Sequence, residues 1–213
     1  MDIGRAYTFI TSDPKWIAKI LIGAAVSLVP LLNLALYGYA LDVLKRVYQG
    51  NELPLPEWDD FGDYFIRGLL VSIGIVIWEL PLFLLACPIV ALAIIDNSGV
   101  AVLLGLACLI PLGIVYAAIT CQIVAARYAL SGEFSSMFEF GAVFAEARRG
   151  AGPLLLCALI YAAASVAGMV AGVVTCFVGL FIVGPWLTLA QAHLLGQAYR
   201  GVRNLPPTTA TAF

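Results

Sequence analysis

Long apolar runs separated by short polar clusters form the main pattern of this chain. Four of the runs hold 20 to 28 residues each: 68–95, 100–126, 153–175 and 180–199. About 20 consecutive apolar residues in a helix cross the ~30 Å hydrocarbon core of a bilayer. Each of these runs therefore predicts one transmembrane helix.

The first apolar run, 16–48, is interrupted at 29–33, where Pro30 lies, and it allows two arrangements. In one, 16–41 is a single span of roughly 39 Å with a kink at Pro30. In the other, 16–29 and 33–48 form a short hairpin whose first arm reaches only about 21 Å, so that the chain turns inside the bilayer. We favour the hairpin and keep the kinked span as the alternative.

The stretch Leu53–Leu69 is where the chain passes from water into the membrane. Pro54 and Pro56 prevent a helix from starting before about Glu57. From there one helical face is apolar: Trp58, Phe61, Phe65 and Leu69. This pattern predicts an interfacial helix that leads into the next span.

Two further surface helices are predicted, at 1–13 and 136–149. The residues 136–139, Ser-Met-Phe-Glu, fit a capping box that would open the second of these helices. Gly150 and Gly152 would end it before the next apolar run.

Surface helices and apolar runs group into three similar units, 1–50, 51–132 and 133–203. The second arm of each hairpin has a proline near its start and an arginine 16, 16 or 15 residues later: Pro30 and Arg46, Pro111 and Arg127, Pro185 and Arg200. Internal repeats of this kind are common in membrane proteins. We therefore predict an all-α integral membrane fold with one membrane domain, 1–203, and a flexible tail, 204–213. The membrane domain consists of three repeated units of interfacial helix plus helical hairpin, and the first hairpin is short or re-entrant. The alternative is five spans with a kinked first helix.

The composition and the charge distribution agree with a membrane protein. Apolar residues make up 62% of the chain and charged residues 11%, against roughly 45–50% and 25% in soluble domains. If the first unit is a hairpin, all eleven Lys and Arg residues lie on one side, which the positive-inside rule assigns to the cytoplasm. We expect a multi-pass protein of the cell (inner) membrane with both termini cytoplasmic. The expected partners are the lipid bilayer and either a second copy or another membrane protein; no basic run suggests nucleic acid.

Four short motifs resemble an uncharacterised family of prokaryotic integral membrane proteins, a domain of unknown function with LPEWDDWG-like sequences. The motifs are PEWDDFG at 56–62, DPKW at 13–16, PLLN at 30–33 and LLGQAY at 194–199. Phe61 stands where such sequences usually have tryptophan, which keeps an aromatic residue at the interface. The resemblance implies a membrane fold and compartment, and it implies no activity.

Glu79 is the sharpest candidate for chemistry, because counting from Gly68 places this ionisable residue roughly 16 Å deep in a span. Gln191, His193 and Gln197 form a polar group in the last span, at a depth that would let it meet Glu79. Such an intramembrane polar site would suit a proton or cation pathway. The alternative is structural: a protonated Glu79 beside Pro81, and interhelical hydrogen bonds from the last span.

An acidic cluster, expected to be cytoplasmic, is formed by Glu57, Asp59, Asp60 and Asp63. It could bind a cation. We favour helix capping and pairing with arginine, including an i, i+4 pair from Asp63 to Arg67. The other expected partners are Arg46, Arg148, Arg149 and Arg200.

No motif of a known enzyme class occurs, and the five cysteines have no metal-ligand spacing. We therefore predict a non-enzymatic protein without a metal or cofactor. Two functions remain: a membrane-organising scaffold or accessory subunit with a cytoplasmic docking face, and a small-solute or proton/cation-linked transporter or channel using Glu79 and His193. We favour the scaffold, because one acidic residue in short segments makes a sparse transport site.

Overall fold

The structure is a computed structural model, and it describes residues 1–51, 55–95, 99–175 and 178–203. These ranges contain seven α-helices and no strand, so the all-α prediction is confirmed. The helices are α1 Ile3–Thr8, α2 Trp16–Ser27, α3 Asn33–Gln49, α4 Phe61–Ile95, α5 Gly99–Ser131, α6 Phe140–Val174 and α7 Val178–Val202. Two 3₁₀ turns, Phe9–Ser12 and Phe134–Phe138, precede α2 and α6. The tail predicted at 204–213 lies outside the described residues.

Helices α2 and α3 form a hairpin. The Trp58 indole N–H donates to the Lys19 carbonyl at 3.1 Å, and its ring stacks on Tyr39 with the centroids 4.2 Å apart. In one continuous helix, residues twenty positions apart would be separated by about 30 Å. The chain therefore reverses direction in residues 28–32, and the alternative of five spans with a kinked first helix is wrong.

Within the described residues, four helices are long and apolar enough to cross a membrane: Phe61–Pro88, Leu109–Ser131, Phe140–Val174 and Gly179–Val202. The arms of the first hairpin have 12 and 17 residues. They reach about 18 and 25 Å, which is less than the ~30 Å hydrocarbon core. The fold is thus a set of four membrane spans with one short hairpin beside them.

Two predicted surface helices are the first turns of spanning helices. Helix α4 begins at Phe61 and not at about Glu57, and α6 begins at Phe140 after a 3₁₀ turn in place of the expected capping box. Gly150 and Gly152 do not end α6. An interior glycine costs a helix only about 1 kcal/mol, and a Cβ atom at Gly150 would lie 2.6 Å from Val202 Cγ2, so this glycine is closely packed.

Helices α3 and α4 approach each other closely because both carry glycine where they cross. Gly38 faces the backbone of Tyr64, and Gly68 faces the backbone of Leu34. A Cβ atom at either glycine would overlap the facing carbonyl group. Contacts between small residues of this kind let helix backbones meet inside membranes.

The face of α4 that is buried at this crossing is not the apolar face formed by Phe61, Phe65 and Leu69. Tyr64, Gly68 and Val71 are buried, whereas Phe61 and Phe65 are only half-buried. The close backbone approach at the glycine therefore decides which side of the helix faces the core.

The buried core lies at one end of the molecule, here named the basic end because α3, α5 and α7 finish there near Arg46, Arg127 and Arg200. Many fully buried side chains lie there: Tyr39, Leu44, Ile123, Val124, Met137, Val143, Leu194 and Tyr199. Toward the far end the helices expose large apolar side chains: Phe83, Leu84, Leu112, Ile114, Met169, Val170 and Val174. The basic end holds the buried core, and the far end exposes apolar side chains.

The three-unit repeat stays a prediction, and two observations favour it. Helices α1, α4 and α6 pack against α7, α3 and α5, so each predicted surface segment contacts the second arm of another unit. Each of the three helices begins with an apolar residue and a glycine after an acidic residue: Asp2-Ile3-Gly4, Asp60-Phe61-Gly62 and Glu139-Phe140-Gly141.

Candidate functional site

The first charged cluster lies where the chain enters α4, and Lys19 is at its centre. This side chain is buried, and its Nζ atom lies 2.8 Å from Asp13 Oδ2 and 3.3 Å from Glu57 Oε1. It also donates to the Leu55 carbonyl at 3.2 Å. A lysine ammonium group has three donors, so these oxygens can satisfy all of them. Burial of the charge is tolerated for that reason.

Two tyrosines hold the extended segment that leads into α4. The Tyr39 hydroxyl donates to the Pro56 carbonyl at 2.8 Å, and the Tyr64 hydroxyl donates to the Glu57 carbonyl at 2.9 Å. Proline keeps this segment out of a helix, which leaves its carbonyl groups available to side chains. The segment is thereby fixed against α3 and α4.

Lys19 and its partners Asp13, Leu55 and Glu57 line a cleft of about 510 Å³ at the basic end. Its lining carries both signs of charge: Asp13, Pro14, Lys15, Lys19, Arg46, Leu55, Glu57, Asp59, Asp60 and Tyr64. Glu57, Asp59 and Asp60 of the predicted acidic cluster line this cleft.

Glu57 and Asp63 of the acidic cluster form ion pairs. Glu57 lies 3.6 Å from Lys15 and 3.3 Å from Lys19. Asp63 pairs with Arg67 at 2.6 Å, in the i, i+4 geometry that the sequence predicts. The lysine partners of Glu57 were not foreseen, because they belong to a segment about 40 positions away.

Asp59 and Asp60 are exposed, and neither forms an ion pair with a described residue. Arg46, one expected partner, lines the same cleft but pairs with Asp42 at 3.1 Å. Among the described residues there is no group of three or more His, Cys, Asp and Glu side chains that could hold a metal ion.

Asp13 is a carboxyl group of this cluster whose pKa is shifted. Burial by itself raises the pKa of a carboxyl group, but the hydrogen bond from Lys19 and the one from the Lys15 backbone N–H outweigh it. The pKa of Asp13 is therefore lower than its ordinary value. The ionised form is the one that the folded state stabilises.

A second charged cluster joins α5 to α6 and is centred on Arg127. This buried guanidinium group donates to the Ser136 carbonyl at 2.7 Å and to Glu146 Oε1 at 3.1 Å, and it also contacts Glu139. Buried charges of this kind persist when they are paired and hydrogen-bonded.

Glu146 extends this second cluster to α7. It accepts a hydrogen bond from the Tyr199 hydroxyl and lies 3.3 Å from Arg203, whose guanidinium carbon is 5.3 Å from the centroid of the Tyr199 ring. This cluster was missed by the sequence analysis, because a surface helix at 136–149 gives no reason to expect a buried Glu146. The available signal was the seven-residue spacing from Glu139, which places both carboxylates on one helix face.

Glu79 is on α4, and its side chain contacts α5. It is half-buried and accepts a hydrogen bond from the Cys121 thiol, with 3.4 Å between Sγ and Oε1. Its neighbour Trp78 donates its indole N–H to the Met137 carbonyl at 2.9 Å, in the 3₁₀ turn that joins α5 to α6. Glu79 therefore lies one residue from a contact between α4 and the turn that joins α5 to α6.

His193 and Gln197 contact the N-terminal segment. His193 is buried and stacks on Phe9 with the ring centroids 4.4 Å apart. Gln197 lies 3.0 Å from His193 Nδ1 and accepts a hydrogen bond from the Asp2 backbone N–H at 2.7 Å. These bonds hold α1 against the end of α7.

The buried Oε1 atom of Gln191 has no hydrogen-bond partner among the described residues. Helix α4, which carries Glu79, packs against α3 and α5, whereas α7 packs against α1, α2, α3, α6 and, less extensively, α5. The structure thus brings His193 and Gln197 together, and it gives Glu79 different partners.

Four helices able to span a membrane, joined by charged clusters at one end, define an α-helical multi-pass membrane protein. The chain belongs to the protein family of unknown function DUF4013, whose model matches residues 21–183. The expected membership of an uncharacterised family is confirmed. No curated protein and no solved structure matches the chain.

Proposed function

We propose that this protein is a non-enzymatic membrane-organising scaffold or accessory subunit, with its basic end on the cytoplasmic side of the cell membrane. The observation that carries the proposal is the uneven packing. The short hairpin and the surface segments all lie at the basic end, which also holds the buried core. Because the α2–α3 hairpin cannot cross the hydrocarbon core, it widens the protein in one leaflet only.

The basic end also supports the proposed docking face. The buried charged cluster around Lys19 ties two surface segments to the short hairpin, and the one around Arg127 ties α5 to α6 and to the turn between them. A face that is already ordered loses little conformational entropy when it binds a partner. The mixed charges of the 510 Å³ cleft lie on this face.

Sorting between membranes of different curvature tests the scaffold proposal. We suggest reconstituting fluorescent protein into a mixture of small and large vesicles of zwitterionic lipid and measuring protein density on single vesicles. Molecules with the basic end in the outer, convex leaflet should be enriched on small vesicles. Molecules inserted the other way are the internal control and should be depleted there. Equal density at every vesicle size for both orientations would contradict the proposal.

The alternative function is a small-solute or proton/cation-linked transporter or channel using Glu79 and His193. The contacts do not favour it, because Glu79 is bonded to Cys121 while His193 stacks on Phe9. Proton and cation flux into liposomes should be absent for both the wild type and Glu79→Gln. Flux that occurs in the wild type and vanishes in Glu79→Gln, with folding intact, would support transport and overturn the scaffold proposal.

A further inference from the structure

Arg148 and Arg149 differ from the arginines of the charged clusters. Both are exposed, and no carboxylate of a described residue lies within ion-pair distance of either one. With the described residues their side chains form one hydrogen bond, from Arg149 Nε to the Ala145 carbonyl of the same helix, at 3.3 Å. Arg127, by contrast, is buried between two glutamates. The guanidinium groups of two consecutive residues are therefore available to an anion.

The position of these arginines along α6 matches the level of lipid headgroups. From Arg149 to Val174 the helix rises about 37 Å, which exceeds the ~30 Å hydrocarbon core. Gly150 packs against Val202, so the arginines lie at the basic end. When the far end of α6 lies at one surface of the hydrocarbon core, Arg148 and Arg149 lie in the phosphate layer at its other surface.

The exposed face of α6 continues from the arginines into the lipid. Phe140, Phe144, Arg148, Gly152 and Leu156 follow one another at intervals of four residues, and all five are exposed. A basic residue between aromatic and aliphatic ones is typical of a membrane-water boundary. A Cβ atom at Gly152 would meet no other atom within 4 Å. The open space beside Gly152 leaves room for a lipid glycerol group below Arg148.

We propose that Arg148 and Arg149 form a binding site for the headgroup of an anionic phospholipid in the leaflet at the basic end. Their guanidinium groups would donate to the phosphate oxygens. The acyl chains would lie along the exposed side chains of Leu156 and Leu159. The apolar face directly below the charges distinguishes this site from one for an acidic soluble protein, which would bring no chains to cover it. The site is independent of the scaffold role.

Native mass spectrometry of the full chain in neutral detergent tests the site. Phosphatidylglycerol should bind more tightly than phosphatidylcholine, and Arg148→Gln or Arg149→Gln should weaken its binding about fivefold each, the usual contribution of one basic residue beside an anionic membrane. The matched control is Arg5→Gln, which removes one exposed charge at the same end and should change binding little. Glycerol phosphate serves as a competitor without acyl chains and should not displace the lipid.

Three outcomes would overturn the lipid site. They are equal affinity for the two lipids, an equal loss of affinity in Arg5→Gln, and full displacement by glycerol phosphate, which would indicate a site for free phosphate. The variants must fold like the wild type, so their circular dichroism spectra and melting temperatures must be unchanged. We expect this result because both arginines are exposed. The curvature measurement uses zwitterionic lipid only, so it can succeed or fail separately from this one.

Discussion

At the scale of single residues, the buried ammonium group of Lys19 gives the sharpest test of the structure. In Lys19→Met the buried Asp13 carboxylate loses its partner, and we expect the free energy of unfolding to fall by about 3–5 kcal/mol. Lys15→Met is the matched control, because Lys15 is mostly exposed and its ion pair with Glu57 should contribute under about 1 kcal/mol. Denaturant unfolding in detergent measures both. A similar loss in the two variants would contradict the buried pair.

Asp13 gives a prediction for acid conditions. Its pKa is lower in the folded state than the ordinary aspartate value of about 3.9, so its ionised form stabilises the fold. This contribution is complete above the ordinary pKa and is lost as the pH falls through the lowered folded-state pKa. The melting temperature of the wild type should therefore drop more steeply below pH 4 than that of Asp13→Asn. Parallel curves for the two proteins would show that Asp13 has no such role.

Residue pairs differ in how far the sequence could predict them. The Asp63 and Arg67 pair was predictable, because four residues on one helix bring the two side chains together in any fold. The bonds of Lys19 to Asp13 and Glu57 were not, because they depend on the reversal of the α2–α3 hairpin and on the extended segment after it. The same holds for Glu79, whose partner Cys121 lies on another helix.

At the scale of helices, the crossing of α3 and α4 predicts a strong effect of a single methyl group. Gly38→Ala would drive a Cβ into the Tyr64 carbonyl, so the helices must separate, and we expect a loss of about 1–3 kcal/mol in unfolding free energy. Gly62→Ala in α4 is the matched control. It has open space around it and should be neutral or slightly stabilising, since alanine favours a helix. Thermal unfolding of the two variants compares them directly, and equal melting temperatures would argue against the close crossing.

Helix existence was easier to predict than helix ends. The apolar runs identified every spanning helix, because about 20 apolar residues favour a helix in lipid whatever their neighbours are. The start of α6 and its continuation through Gly150 were not predictable, since they depend on Val202 covering that glycine and on Arg127 holding Glu139. A capping box is a pattern within one short segment. Here the contact of Glu139 with Arg127 of α5 takes its place.

At the scale of the whole molecule, the predicted orientation can be tested with a membrane-impermeant thiol reagent. In a variant with the native cysteines replaced by alanine, a cysteine at Thr175 should react from outside intact cells. A cysteine at Thr8 should react only after the membrane is opened. Both positions are exposed, so accessibility in the fold does not limit either reaction. Labelling of Thr8→Cys in intact cells would reverse the assignment of the basic end to the cytoplasm.

The sequence by itself determined the class of this protein: an all-α membrane fold whose spans lie where the apolar runs are and whose basic residues gather near helix ends. These properties follow from the partition of each segment between water and lipid, which is nearly additive along the chain. Only the tertiary structure decided that α2 and α3 reverse direction, that Lys19 and Arg127 are buried among carboxylates, and that the core lies at one end. Those features depend on contacts between segments far apart in sequence, where the close approach of glycine backbones and the pairing of buried charges outweigh local pattern.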